Sequence, residues 1–301
     1  MQQVTVSVPA TSANLGPGFD CLGLALDLRH DVTFTVQSAE GLTISASGED
    51  SHKIPRTADN LVFQAAEIIF RYLDWHPSGL HIHQENQIPI GSGLGSSSSA
   101  VLAGMFAANA LAGSRLTKKE ILQMATDLEG HPDNVAPAVY GGLVLGVRGG
   151  NGLVTEQIPI PPLRVVIVLP DFELLTDEAR AILPGQIPLR DAIFNASRTG
   201  LLIRALETAD YEKLRIAMQD KLHQPTRIPL IPGMQEAFQA VIGAGAAGVA
   251  LSGAGPGLIA FTADWHQEII DAAAGAFIRA GYTSRTWSLF VDTAGVIVTP
   301  A

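Results

Sequence analysis

The stretch Pro89-Ile90-Gly91-Ser92-Gly93-Leu94-Gly95-Ser96-Ser97-Ser98-Ser99-Ala100 constrains this chain more than any other segment. Glycines at alternate positions (Gly91, Gly93, Gly95) let a backbone fold back without Cβ clashes and aim several N–H groups at one point. Upstream, Leu80 to Gln84 reads as a strand; downstream, Ala100 to Ala112 is a run of small and apolar helix formers. A helix starting near Ser96 adds a positive dipole end and unpaired amides, so the segment predicts a phosphate cradle. A flexible linker would have no reason to sit between a strand and an apolar helix. The segment is not a Walker loop, which needs a lysine, and its third glycine comes too early for the dinucleotide fingerprint. Its serines can cap the helix, bind phosphate oxygens or hold a metal, and spacing does not divide those tasks among them.

At 301 residues, 47% hydrophobic and 16% charged, the chain is a compact globular protein of one large domain or two ordinary ones. A net charge of −10 argues against nucleic acid or anionic membrane as a partner, so any phosphate site relies on local dipoles, local Lys/Arg and a metal. One cysteine, Cys21, excludes an internal disulfide and suits a reducing, cytoplasmic compartment. Met1 to Pro9 lacks the basic and apolar regions of a signal peptide. Ala240 to Ala263 carries no charge, but six glycines and Pro256 would break a spanning helix. The same stretch divides better into a strand (Gly248 to Leu251), a tight loop (Ser252 to Gly257) and another strand (Leu258 to Thr262).

Elsewhere, Val4 to Val8 alternates as a strand, and Pro9 to Asp20 reads as a polar, glycine-punctuated loop. Asp31 to Gln37 and Gly41 to Ala46 are expected as paired strands. Asn60 to Tyr72 is a predicted helix capped by Asp59 or Asn60. Thr117 with Glu120 predicts a capping box for a helix ending at Gly130. A short helix follows over Val135 to Tyr140, then a strand over Leu143 to Val147. The Pro-rich Ile158 to Pro162 marks a boundary, giving segments 1–157 and 158–301, with a strand from Arg164 and helices over Asp191 to Ala209 and Tyr211 to Leu222. Strands and helices mix rather than alternate, which favours an α+β fold over a doubly wound sheet.

Three segments converge: Pro9 to Asp20, Pro89 to Ala100, and Leu251-Ser252-Gly253-Ala254-Gly255-Pro256-Gly257. Taken alone, the third reads as a hairpin turn. In this order the three resemble the motifs of the GHMP kinases. Within that superfamily, Pro9 to Asp20, Glu129-Gly130-His131-Pro132-Asp133-Asn134-Val135-Ala136-Pro137, Thr176 to Arg180 and His223 to Arg227 look most like the homoserine kinase family. The resemblance covers nearly the whole chain. It implies a two-layer α+β fold, with an N-terminal ATP-binding half and a ferredoxin-like C-terminal half. The implied reaction moves a phosphoryl group from Mg·ATP to the side-chain hydroxyl of L-homoserine, towards threonine. The family also leads us to expect a homodimer.

The resemblance assigns nucleotide contacts to Asn60, to Pro89, Ile90, Gly91, Ser92, Gly93, Leu94, Gly95, Ser96, Ser97 and Ser98, and to Ser252, Gly253, Ala254 and Gly255. It gives Mg²⁺ to Glu129 with a loop serine, Ser97 or Ser96; one carboxylate and one hydroxyl suffice, because the ion keeps several waters. Homoserine is a zwitterion bearing an alcohol. Arg180 and Arg227 then fork its carboxylate, Asp20 takes the ammonium, and Asn14, Asn134 and Thr176 supply neutral contacts. Read without the family, the arginines are solvated ion pairs, Asp20 a turn cap, and Glu129 a helix-end surface group. His81 and His83 share a strand face, and Cys21 reads as packing.

Sugar and mevalonate members place a catalytic aspartate where this chain has Asn134, which accepts no proton usefully. Asp133 should point elsewhere, and His131 reads as a hydrogen-bonding or structural residue, with a role as base as its alternative. Phosphoryl transfer passes through a loose transition state, so positioning and charge stabilisation can carry it without a dedicated base. A mevalonate or sugar kinase would lack a use for the arginine pair, and a non-catalytic ligand sensor would show degraded glycine loops.

Overall fold

The computed structural model describes residues 2–150 and 152–300. Its N-terminal sheet has seven strands, β1 (Gln3–Ala13), β2 (Leu22–Gln37), β3 (Gly41–Gly48), β4 (Gly79–Asn86), β5 (Leu143–Gly149), β6 (Gly152–Ile158) and β11 (Ile297–Pro300). Val4, Val6 and Val8 alternate inward from β1, the pattern that marks it as a half-buried strand. Beyond them the structure departs from expectation. Pro9 to Ala13 continues β1 instead of opening a loop, after a register shift between Pro9 and Ala10. A bulge of this kind bends the strand and re-aims its end, here toward the glycine segment, whose Leu94 C=O accepts from Thr11 N–H at 3.0 Å.

The expected pairing of Asp31–Gln37 with Gly41–Ala46 is also corrected. β4 lies between them, antiparallel to β2 and parallel to β3. A parallel pair needs a crossover, and α1 (Leu61–Tyr72) supplies it. Asn60 caps α1 by accepting from Val62 and Phe63 N–H. α1 packs against α2 (Ser96–Leu111), which is buried along nearly its whole length and therefore carries no polar face. α3 (Lys118–Glu129) begins with the predicted Thr117–Glu120 capping box and ends at Gly130. α4 (Val135–Tyr140) completes the layer.

Past the proline-rich boundary, β7 (Arg164–Pro170), β8 (Gly248–Leu251), β9 (Leu258–Phe261) and β10 (Ser284–Phe290) form an antiparallel sheet in the order β10-β7-β9-β8. With helices between β7 and β8 and between β9 and β10, this is the ferredoxin-like arrangement. β7 is apolar almost throughout because both its faces are covered. Val166 and Val168 face α9 (Met234–Gly243) and α10 (His266–Arg279), while Val165 and Ile167 join a second cluster with α6 (Leu189–Glu207) and α7 (Tyr211–Ala217). That second cluster also takes Leu22, Leu24 and Leu26 of β2, so it cements the two sheets together. β11 returns across the boundary to pair with β1.

The helix expected over Tyr211 to Leu222 stops at Ala217. The Asp220 carboxylate accepts from the amides of Leu222, His223 and Gln224 and starts a new turn, α8 (Gln224–Arg227). A side chain that caps locally outcompetes continuation of the helix. α5 (Thr176–Ala181) carries Arg180 on the opposite wall.

Candidate active site

The three glycine-bearing motifs are joined to one another by hydrogen bonds. Gly91, Gly93 and Gly95 all have positive φ (71°, 79° and 70°). Ser92 Oγ donates to Pro89 C=O at 2.7 Å and accepts from Leu94 N–H at 3.2 Å, which closes the loop on itself. Ser252 Oγ donates to Gly93 C=O at 2.7 Å, and Gly257 N–H to Ser92 C=O at 3.2 Å. Asn14 Nδ2 donates to Gly253 C=O at 2.9 Å and its Oδ1 accepts from Asp20 N–H at 3.0 Å. Asn14 therefore ties the first motif to the third and sets the backbone of Asp20.

These bonds sort the expected nucleotide residues. A Cβ at Gly93 would lie 2.1 Å from Ser252 O, so that glycine is a packing point between loops. A Cβ at Gly91 would meet nothing within 4 Å, so Gly91 keeps backbone open to the cleft. Ile90, Gly91, Ser92, Gly93, Gly95, Ser96, Ser97, Ser98, Gly253 and Ala254 line the cleft; Pro89, Leu94, Ser252 and Gly255 lie behind it. Ser99 N–H makes the first turn's bond to Gly95 C=O, so the amides of Ser96, Ser97 and Ser98 precede the α2 ladder. Glu129, at the end of α3, accepts from Ser97 Oγ at 2.9 Å and Ser98 Oγ at 2.8 Å, one on each carboxylate oxygen. Ser98 thus joins the pair, and Ser96 does not.

The cleft encloses about 510 Å³, within the roughly 300–1,000 Å³ of small-molecule sites. One end is walled by Lys53, Pro55, Asn60 and Val62, with His30 and Gln84 behind. Asn60 is fully engaged there: Oδ1 accepts from Gln84 as well as from the α1 amides, and Nδ2 donates to Pro55 C=O. Burial pushes the His30 imidazole down to about 4 and keeps it neutral.

The other end gathers side chains from four stretches, 14–20, 131–134, 176–180 and Arg227. Asn14, Leu15 and Asp20 all have positive φ, a backbone cost that clusters at functional sites. Arg180 forks Asp20 with Nη1–Oδ2 at 3.0 Å and Nη2–Oδ1 at 2.9 Å. That pairing holds the Arg180 guanidinium above its ordinary value, while burial and then Arg180 push Arg227 the other way. Both guanidiniums lie near the Phe19 ring, at 5.7 and 5.3 Å from its centroid. Arg227 is 1% exposed, so it is a buried cation and not the solvated surface group that sequence alone suggests. Thr176 opens α5 at the rim.

Asp133 does not point elsewhere. It is buried, lines the same cleft, and its Oδ1 accepts from His131 Nδ1 at 2.5 Å. Burial disfavours a charged imidazole, but the Asp133 hydrogen bond and the charges of Asp133 and Asp20 outweigh it and raise His131 above its ordinary value. Asp20, His131 and Asp133 bring ligand atoms within 4.8 Å of one another. Arg180 already forks Asp20, which makes the trio part of a polar wall and not a metal site. Asn134 Oδ1 accepts from Thr11 Oγ1 at 2.8 Å, leaving its Nδ2 as a donor. Cys21 sits behind this wall, its thiol pushed up to about 11 by burial and then by Asp133 and Asp20; a protonated thiol there is no nucleophile. His81 and His83 both bond Ser45 Oγ, at 3.0 and 2.9 Å, and neither lines the cleft.

Sequence reasoning had no signal for Asp133, Thr11 or Phe19 beyond their place inside a motif. Their roles depend on contacts with residues distant in the chain.

Residues 60–142 match the model of the GHMP kinases N terminal domain, and residues 202–282 match that of the GHMP kinases C terminal. Homoserine kinase of Trichormus variabilis is 43% identical over 300 residues, covering 98% of each chain. That of Moorella thermoacetica is 42% identical over 294 residues, covering 97% of this chain and 99% of its own. The crystal structure of homoserine kinase from Cytophaga hutchinsonii superposes with a TM-score of 0.85 at 33% identity, covering 99% of this chain and 98% of that one. L. major mevalonate kinase, at 18% identity and a TM-score of 0.74, shares the fold. Full-length agreement of this kind, on a chain whose ordered motifs meet in one cleft, means that it belongs to the GHMP kinases and, within them, to the homoserine kinases.

Proposed function

We propose that the cleft transfers the γ-phosphoryl group of ATP to the side-chain hydroxyl of L-homoserine by positioning and charge stabilisation, without a dedicated base. One observation carries the reading: a single cavity runs from the glycine loop to a wall holding Asp20, Arg180, Arg227 and Asn134. The loop amides and the α2 N-terminus face the phosphates, with the nucleoside towards Lys53, Asn60 and Val62. Glu129 with Ser97 and Ser98 is a set of hard oxygen donors, which suits Mg²⁺. When bound, the ion neutralises charge on the phosphates.

At the acceptor end, Arg227 and Arg180 bind the carboxylate and Asp20 the ammonium, as charge-assisted bonds. Arg180 exchanges part of its fork with Asp20 for the substrate. Asn134 Nδ2 orients the hydroxyl oxygen and removes no proton, because its amide oxygen is engaged by Thr11. His131 is held at Nδ1 by Asp133, a contact that raises it above its ordinary value, and its part here is to order the wall and not to take the proton. Among the described residues no helix is long and apolar enough to cross a membrane. We place the reaction in the cytoplasm and expect a homodimer.

The test is ADP release with L-homoserine, L-serine, L-threonine, mevalonate and galactose, each at saturating Mg·ATP. Homoserine should stimulate release and mevalonate should not. Turnover of mevalonate with none of homoserine would sink the assignment.

A further inference from the structure

His223 has no part in that reaction, yet it is 0% exposed and bridges Gly16 and Arg227. Its Nε2 lies 2.8 Å from Gly16 C=O, which can only accept, so Nε2 carries the proton. Its Nδ1 lies 3.2 Å from Arg227 Nη1, which can only donate, so Nδ1 is bare. Two one-way partners thus fix a neutral tautomer. Burial, which lowers the imidazole below its ordinary value, acts in the same direction despite Asp220 at 3.6 Å. The ring also stacks on Phe19, at 5.0 Å and 24°. Arg227 is held at Nε by Ala179 C=O (3.0 Å) and at Nη1 by His223, so two contacts define the plane of its guanidinium. Asp220, which bonds the His223 and Gln224 amides, fixes the backbone beneath, and Asn195 Nδ2 donates to it at 2.6 Å.

We propose that His223 is a positioning residue for the amino-acid acceptor: one buried, neutral ring sets both the Arg227 guanidinium and the Gly16–Asp20 loop that presents Asp20. The separation between carboxylate-binding cation and ammonium-binding anion then follows from a residue that touches neither end of the substrate. The inference rests on Arg227 being the carboxylate's partner.

Steady-state kinetics on wild type, His223→Asn, His223→Gln and Arg227→Leu separate the two claims. An asparagine amide oxygen can stand where Nδ1 stands and still accept from Arg227. A glutamine amide reaches the Nε2 position, keeps the Gly16 bond and leaves Arg227 unheld. His223→Gln should raise KM for homoserine about tenfold, the value of one charge-assisted hydrogen bond, with KM for ATP unchanged. His223→Asn should recover most of that loss. If Arg227→Leu raises KM and His223→Gln does not, or if Gln and Asn weaken homoserine and ATP alike, the positioning role is overturned. Wild-type KM in Arg227→Leu would instead overturn the clamp, and this inference with it. Should the variants fail to fold, ¹⁵N-imidazole spectra of the wild type decide: a buried Nε2–H tautomer at pH 7 is expected, and an Nδ1–H tautomer or an imidazolium refutes the proposal.

Discussion

The two ends of the cleft are built by different means. The glycine-loop part of the donor end is backbone and short hydroxyls from one contiguous segment, residues 90–98, with three glycines of positive φ. The acceptor end is long charged side chains from segments as far apart as Asp20 and Arg227, joined through buried partners. Local geometry tolerates changes elsewhere in the chain but not within the segment. A dispersed site behaves oppositely, and each of its members is replaceable at a graded cost.

The largest test of this contrast is Gly91→Val. A branched side chain at φ 71° is strained and fills the open face of the loop. ATP binding by calorimetry should be lost while circular dichroism stays native. Unchanged ATP affinity would break the phosphate role of the loop. Gly93→Val tests something different, because its Cβ would meet Ser252 O; it should lower Tm as well.

At the acceptor end the effect should be graded. Arg180→Leu or Arg227→Leu should raise KM for homoserine at least tenfold, given about 1.5–3 kcal/mol for a charge-assisted bond, with ATP affinity kept. Asn134→Ala should lower kcat by loss of positioning, and Asn134→Asp should bring no large gain. His131→Gln should cost less than about a hundredfold in kcat, the lower end of general-base contributions. A larger loss, with the acid limb of the kcat–pH profile gone, would make His131 the base and break the proposed mechanism.

An effect on stability and not on turnover lies behind the donor end. His30 is neutral in the fold, at about 4, against 6.5 when exposed. As pH falls through that window the unfolded chain takes up a proton that the folded chain refuses. Stability should therefore fall by up to about 1.4 kcal/mol per pH unit from this group. Denaturant unfolding between pH 7 and 4 should show a flatter slope for His30→Gln than for wild type. An equal slope would mean that His30 is not held neutral.

Short-range features were legible in the sequence. The Thr117–Glu120 box, the Asn60 cap, the start of α2 at Ser96 and the strand–turn–strand around Ser252–Gly257 each depend on neighbours within a few positions. Pairing and termination were less so. The insertion of β4 between β2 and β3 is decided by the α1 crossover, and the early stop of α7 by the Asp220 carboxylate. Arg180 and Arg227 could be named from the family resemblance, but the physics of single residues favoured surface ion pairs.

The sequence by itself determined the glycine loop and the helix start that follows it, because glycine's missing Cβ and the helix terminus are properties of one short segment. It also determined, through ordered motifs, the family. Only the tertiary structure decided that Gly91 is open while Gly93 packs against Ser252, that Asp133 stands against His131, and that Arg227 is buried beside His223. Burial and one-way hydrogen-bond partners are set by residues far apart in the chain, such as Gly16 and His223, 207 positions from each other, and no local pattern carries that information.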